Sequence, residues 1–183
     1  MAGVRVAVVG GANSAGEAAV YLARYASKVS VLVRGASIER TMSEYLVGQL
    51  GRIENVEVRL HTEIIEAEDS DQLRSLAVRN TETGEVSPLD VTALFILIGA
   101  APRTDWLPAA IARDDHGFVL TGTDVPEAPD AGHARLPLET SVAGIFAAGD
   151  VRLGSVKRIA AAVGEGAAAT HQIHQYRATK GWH

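Results

Sequence analysis

Residues 4–9, VRVAVV, are apolar almost without a break and stop on Gly10 and Gly11. A run of that kind suits a strand buried on both faces and halted by a tight turn, which confines the chain to folds with a covered parallel sheet. From 14 to 26 the apolar positions Ala15, Ala18, Ala19, Leu22 and Ala23 fall at helical spacing, with Glu17 and Arg24 off the stripe. Asn13 or Ser14 is the expected N-cap. A second strand is predicted at 29–33 and a second helix at 43–50. Strand, helix, strand, helix in this order predicts an α/β fold.

Beyond the second helix the pattern changes. Short segments at 56–61, 62–67, 73–79 and 86–91 read as strands with polar joins, and TETGE at 81–85 is a turn by composition. They predict an antiparallel meander beside the parallel sheet, followed by another buried strand, ALFILIG, at 93–99. Residues 1–101 are therefore expected to form one α/β domain in which a parallel sheet carries an antiparallel meander beside it. Pro102 to Leu107 reads as a connector, and 114–137, rich in Asp, Pro, Gly and His, reads mostly as surface loop around a short FVL strand at 118–120. The chain then tightens into a strand and turn at GIFAAGD, 144–150, and an alanine-rich helix at 156–176.

Composition narrows the partners. The chain has 183 residues, enough for a substantial core, and is 47% hydrophobic but only 5% aromatic, so small side chains must let helices lie close on the sheet. A net charge of -5 argues against nucleic acid or an anionic membrane. With no cysteine, the chain cannot form a disulfide, carry a redox CxxC pair or bind zinc through thiolates. No charged leader precedes the first strand, and the longest apolar run, 91–102, is too short to span a bilayer, so a cytoplasmic protein is expected. His171 and His174 sit three apart on the last helix without a third ligand, which favours a solvated helix end over a metal site.

The first turn has the chemistry of a dinucleotide site. Gly10, Gly11, Ala12, Asn13, Ser14 and Ala15 give the pattern GxAxxA between a buried strand and a helix. The first glycine makes the turn, the second motif position normally lets the backbone approach a pyrophosphate, and the helix N-terminus favours the anion. Here that second position is Ala12. At the end of the second strand an acidic residue would suit the ribose hydroxyls of NAD, whereas a cation suits the 2′-phosphate of NADP. Arg34 occupies that place, and Arg40 lies six residues on, so NADPH is expected over NADH.

VAVVGGANSAGEAAVYLARYASKVSVLVR, ALFILIGAAPRTDW, TSVAGIFAAGDVR and SVKRIAAAVGEGAAA resemble, in order and spacing, the pyridine-nucleotide part and the C-terminal flavin part of thioredoxin reductase-like flavoproteins, members of the pyridine nucleotide-disulfide oxidoreductase family. The resemblance implies that Gly10 to Ala15 form the NADPH pyrophosphate turn, that Arg34 holds the 2′-phosphate, and that Gly99 lies in the strand-end turn leading back to the flavin domain. It implies that 1–101 is a three-layer, Rossmann-like NADPH-binding domain with an antiparallel meander and that 102–183 is the C-terminal segment of an FAD-binding domain, with the Gly149, Asp150 turn holding the ribityl chain. Where the family presents Arg, Gln, Ala beside the flavin ring, this chain has Lys157, Arg158 and Ile159, and Gly35 replaces a second arginine after Arg34.

The implied function is passage of a hydride from NADPH to FAD. The family's CxxC pair precedes the pyridine-nucleotide turn and is absent from this chain, so no catalytic residue is assigned here and the chain alone is expected to bind NADPH without full turnover or a stable flavin. Two other readings stay open: part of a cysteine-independent flavin or ferredoxin reductase of the same superfamily, or a non-catalytic nucleotide-binding or dimerisation module. A homodimer is compatible with all three, and the electron acceptor is left open.

Overall fold

The computed structural model describes residues 3–67, 72–126 and 134–181. Two compact units make up the chain, Met1–Gly99 and Ala100–His183.

In the first unit, β1 (Arg5–Val9), β2 (Lys28–Leu32), β3 (Val56–Arg59) and β7 (Ala93–Ile96) form a parallel sheet in the order β3-β2-β1-β7. Helices α1 (Asn13–Leu22) and α2 (Glu44–Leu50) cover one face. On the other face lies an antiparallel sheet of β4 (Thr62–Ala67), β5 (Ser75–Asn80) and β6 (Val86–Asp90). The three-layer α/β architecture expected from the sequence is therefore present.

Alternation along the strands sorts these layers. Val6, Val8, Val29 and Val31 point to the helices, where they meet Ala15, Ala19, Leu22, Leu46 and Leu50. The intervening Ala7 and Leu32 point the other way, against Leu76, Val78 and Leu89 of the antiparallel sheet. Covering both faces is why β1 is apolar from Val6 to Val9; Val6, Ala7 and Val8 are all 0% exposed.

Three expectations for this unit are corrected. The first of the four short segments joins the parallel sheet, with Val29 opposite Val56 and Val31 opposite Val58, which leaves three strands in the meander. Period-two alternation gives the face of a strand but not its partner, and here Lys28 and Glu57, 2.7 Å apart, add an ion pair across β2 and β3. The first helix stops at Leu22 because the Asn55 side-chain amide donates to the carbonyls of Ala23 and Ala26, both at 2.9 Å, and satisfies the groups that a longer helix would have used. Its N-cap is Ala12, with no side-chain cap; Asn13 instead accepts a bond from the Ser43 N–H at 2.8 Å.

The second unit holds 3-10 turns at Gly122–Asp124 and Gly149–Val151 and one long helix, α3 (Ile159–Thr179). The strands expected at 118–120 and 144–149 are not formed: Val119 makes single bridges to Arg113 and Arg152, and Phe146 one to Glu139. A strand exists only through a ladder, and these segments find isolated partners among the described residues. Residues 127–133 of the expected surface loop lie outside the described residues.

Polar ties substitute for a ladder. Glu139, 0% exposed, accepts the Gly144 N–H at 2.8 Å and the Leu136 N–H at 3.1 Å through its carboxylate. Gln172 of α3 accepts the Leu138 N–H at 2.9 Å, and Tyr176 packs edge-on against Phe146. α3 begins three residues later than expected because Lys157 and Arg158 are held in a non-helical loop. Only Ala169 of this helix is fully buried, while Ile159 and Val163 are 87% and 67% exposed. Among the described residues no helix is long and apolar enough to cross a membrane.

The layer packing predicts an asymmetry in urea unfolding. Leu76→Ala, at 0% exposure between the two sheets, should cost about 2–5 kcal/mol, whereas Val163→Ala on the open side of α3 should stay within about 0.5 kcal/mol. Equal losses for the two variants would contradict the assignment of the core.

Candidate functional site

The carboxyl ends of β1, β2 and β7 open onto a cleft of about 740 Å³ whose lining includes Gly10, Gly11, Arg34, Thr41, Ile96 and Ile98. Open parallel sheets form their ligand crevices at this end of the strands.

The floor of the cleft is set by backbone geometry. Gly10 has φ +143°, and a Cβ there would lie 2.3 Å from the Leu97 carbonyl oxygen, so only glycine allows β1 to turn while β7 passes alongside. Its N–H donates to the Leu32 carbonyl at 3.1 Å. Ala12 follows in extended conformation, exposed, and its carbonyl accepts the N–H groups of Ala15 and Gly16 as α1 begins. Ala15 is fully buried, and Asn13 and Ser14 are exposed on the first turn. Ahead of those bonds, the Asn13 and Ser14 amides have no acceptor within the helix and carry the positive end of its dipole.

Contacts missed by sequence reading brace the turn. The Thr41 hydroxyl donates to the Gly11 carbonyl at 2.6 Å, and with the bond from the Ser43 N–H to Asn13 it fastens the entry of α2 to the glycine turn. Gly16 lets α1 approach α2: a Cβ there would meet the Met42 sulfur at 2.8 Å. Thr41, Met42 and Ser43 lie outside the strand-turn-helix motif, and long-range partners of this kind leave no local periodic signal.

Of the two expected arginines, one reaches the cleft. Arg34 is exposed at the rim just past β2, and its guanidinium makes no hydrogen bond or ion pair among the described residues. Arg40 is exposed too but is not part of the lining. Between them the Ser37 hydroxyl donates to the Glu39 carboxylate, and this bond holds the Glu39 carboxyl below its ordinary range. Across the cleft, Glu63 is paired with Arg79, whose Nε donates at 2.9 Å, so its charge is offset. Ile64, Leu94, Ile96 and Ile98 supply an apolar wall. Gly99, at φ +110°, follows this wall without lining it.

A separate concavity of about 550 Å³ in the second unit gathers Gly149, Asp150, Lys157, Arg158 and Ile159 with Val163. Gly149 has φ +77°, and a Cβ there would lie 3.2 Å from the Ala162 Cβ, so glycine allows the turn to sit against α3. Asp150 is exposed, and its carboxylate makes no hydrogen bond among the described residues. The Lys157 ammonium is turned onto the loop: it donates to the Asp150 carbonyl at 2.8 Å, the Arg152 carbonyl at 3.3 Å and the Ser155 hydroxyl at 2.6 Å, over the Phe118 ring. Arg158, extended at φ −139°, is the N-cap residue of α3.

One ion pair that sequence reading passed over lies beneath this turn. Arg152 and Glu165 meet in a two-point fork, Nη2 to Oε1 at 2.6 Å and Nε to Oε2 at 3.2 Å, with both side chains less than one-fifth exposed. The Gly149 N–H also donates to Glu165 Oε2, at 2.6 Å. The Arg152 guanidinium holds the Glu165 carboxyl below the usual carboxylate range, with help from the Gly149 amide, against the opposing effect of burial.

The family model described as pyridine nucleotide-disulphide oxidoreductase matches residues 1–166. Thioredoxin reductase of Eremothecium gossypii is 37% identical over 172 residues, covering 93% of this chain and 50% of the relative. Thioredoxin reductase of Yarrowia lipolytica is 38% identical over 148 residues, covering 80% of this chain and 42% of the relative. The Lactococcus lactis thioredoxin reductase structure matches with a TM-score of 0.77 at 26% identity, over 96% of this chain and 54% of that one. The chain thus spans about half the length of these proteins. With the family model matched over most of its length, the chain belongs to the pyridine nucleotide-disulphide oxidoreductase family and is thioredoxin reductase-like within it.

Proposed function

We propose that this chain is the C-terminal portion of a thioredoxin reductase-like flavoprotein that passes a hydride from NADPH to FAD, and that 1–101 is its NADPH-binding domain and 102–183 a segment of its FAD-binding domain. The observation that carries the reading is the single cleft in which the Gly10, Gly11 turn, an unpaired Arg34 and an apolar wall come together. That donor set fits an elongated ligand with a pyrophosphate, a further phosphate and a flat ring. On this reading the turn and the first amides of α1 hold the pyrophosphate, Arg34 holds the 2′-phosphate, and Ile96 and Ile98 shield the nicotinamide end from water.

The concavity of the second unit fits one end of a flavin. Asp150 offers an unused carboxylate for the ribityl hydroxyls, next to Gly149, Lys157, Arg158 and Ile159. FAD in the complete protein supplies the ring that accepts the hydride. The chain contains no cysteine, so a disulfide-reducing step would use residues outside it. A cytoplasmic setting, as expected from the sequence, is part of this proposal.

Titration of the 183-residue chain with NADPH and NADH tests the reading. NADPH should bind more tightly, and Arg34→Ala should weaken NADPH by roughly ten- to a hundredfold, the worth of a charge-assisted hydrogen bond, while leaving NADH unchanged. Failure of both nucleotides to bind would favour a non-catalytic module. A second outcome concerns the flavin: the purified chain should show no flavin absorbance, because Asp150 and its neighbours supply only one wall. A stoichiometric yellow chromophore would overturn that expectation.

A further inference from the structure

The Gly149–Val151 turn has no strand ladder to hold it, yet it is the element that carries Asp150. Three groups fix it from beneath. Glu165, on the second turn of α3, accepts the Gly149 N–H at 2.6 Å with the same Oε2 that receives Arg152 Nε. Arg152, at the other end of the turn, forks onto that carboxylate. Lys157 closes the loop from the far side through the Asp150 and Arg152 carbonyls. The Asp150 backbone is thus gripped on both sides while its side chain stays exposed.

We propose that Glu165 is the positioning residue for Asp150: one carboxylate, oriented by Arg152, clamps the first amide of the turn and so presents the Asp150 side chain already ordered, before any cofactor arrives. The role assigned to Asp150 rests on the flavin reading above, but the clamp itself does not. It is a device for a segment whose one cross-strand bridge, from Val119 to Arg152, leaves the Gly149 end of the turn unpaired by any strand. A carboxylate is suited to it because it can accept the guanidinium and the amide together, and burial strengthens both bonds. A residue at 165 with no acceptor oxygen would leave Arg152 and the Gly149 N–H without their shared acceptor, and a neutral acceptor would hold both more weakly.

The charged groups facing the clamp are Arg152 and Lys157, with Asp124 acting on Arg152 from the preceding 3-10 turn. Because Glu165 titrates below its ordinary range when folded, the clamp contributes fully above that range and is lost as pH falls through the lowered value.

Amide spectra of the ¹⁵N-labelled chain provide the test. In the native protein the Gly149 amide should resonate far downfield and titrate with a midpoint below that of an ordinary glutamate. Glu165→Gln keeps an acceptor oxygen of the same size but no charge, so the Gly149 signal should move upfield and lose its pH dependence, with the Asp150 amide shifting in step. Glu165→Ala should speed hydrogen exchange at Gly149 by roughly ten- to a hundredfold. Arg152→Ala should raise the midpoint towards the ordinary range. The amide signals of α3 beyond residue 170 should be unaffected in all three variants, which serves as the check that the second unit is folded. A Gly149 signal indifferent to Glu165→Gln would overturn the proposal, whatever binds elsewhere. If instead the flavoprotein reading fails, Arg34→Ala will leave NADPH binding unchanged while Gly149 still responds to Glu165.

Discussion

β1 is flanked by β2 and β7 and covered by helices on one face and by the antiparallel sheet on the other. With both faces and both edges occupied, its residues must be small and apolar, and its end must turn within the space between its neighbours. Gly10 answers that requirement, since the Leu97 carbonyl stands where a side chain would begin. The position of the turn then fixes the start of α1, and the start of α1 fixes where the free amides of its first turn lie. The cleft is a consequence of how one strand is buried.

The second unit solves a different problem. Its apolar core is thin, and no ladder organises it among the described residues, so charged side chains bind backbone N–H and C=O groups directly. Glu139 holds the loop before Gly144, Glu165 holds the turn at Gly149, and Lys157 holds the carbonyls after it. Each bond uses a charged partner, which makes it shorter and stronger than a neutral one. The exposed Ile159 and Val163 show that α3 offers more apolar surface than this unit covers.

The legible part of the fold was the part governed by local period. β1, β2, β7 and the two helices of the first unit lie close to where the spacing of apolar residues put them, and the glycine turn was visible because strand, Gly10 and helix are contiguous. What failed were statements about partners. Val56 and Val58 alternate as a meander strand would, yet they line up beside β2 because the same face pattern serves either neighbour. GIFAAGD has strand composition, yet it stays a loop with one bridge. Two residues past β2, Arg34 lines the cleft where its place after a strand put it, Arg40 does not line it, and Thr41 and Glu165 act through chain separations of 30 and 16 residues.

By itself the sequence determined the α/β class, the glycine turn and the choice of Arg34 at the strand end, because these follow from side-chain size, backbone freedom and charge within a few residues of one another. Tertiary structure decided which of those groups share a space. It put Arg34 but not Arg40 on the cleft, moved β3 into the parallel sheet, turned Lys157 back onto its own loop and set Glu165 beneath Asp150. The physical reason is the same throughout: hydrogen bonds and ion pairs act over a few ångströms of space, and distance along the chain does not report that separation.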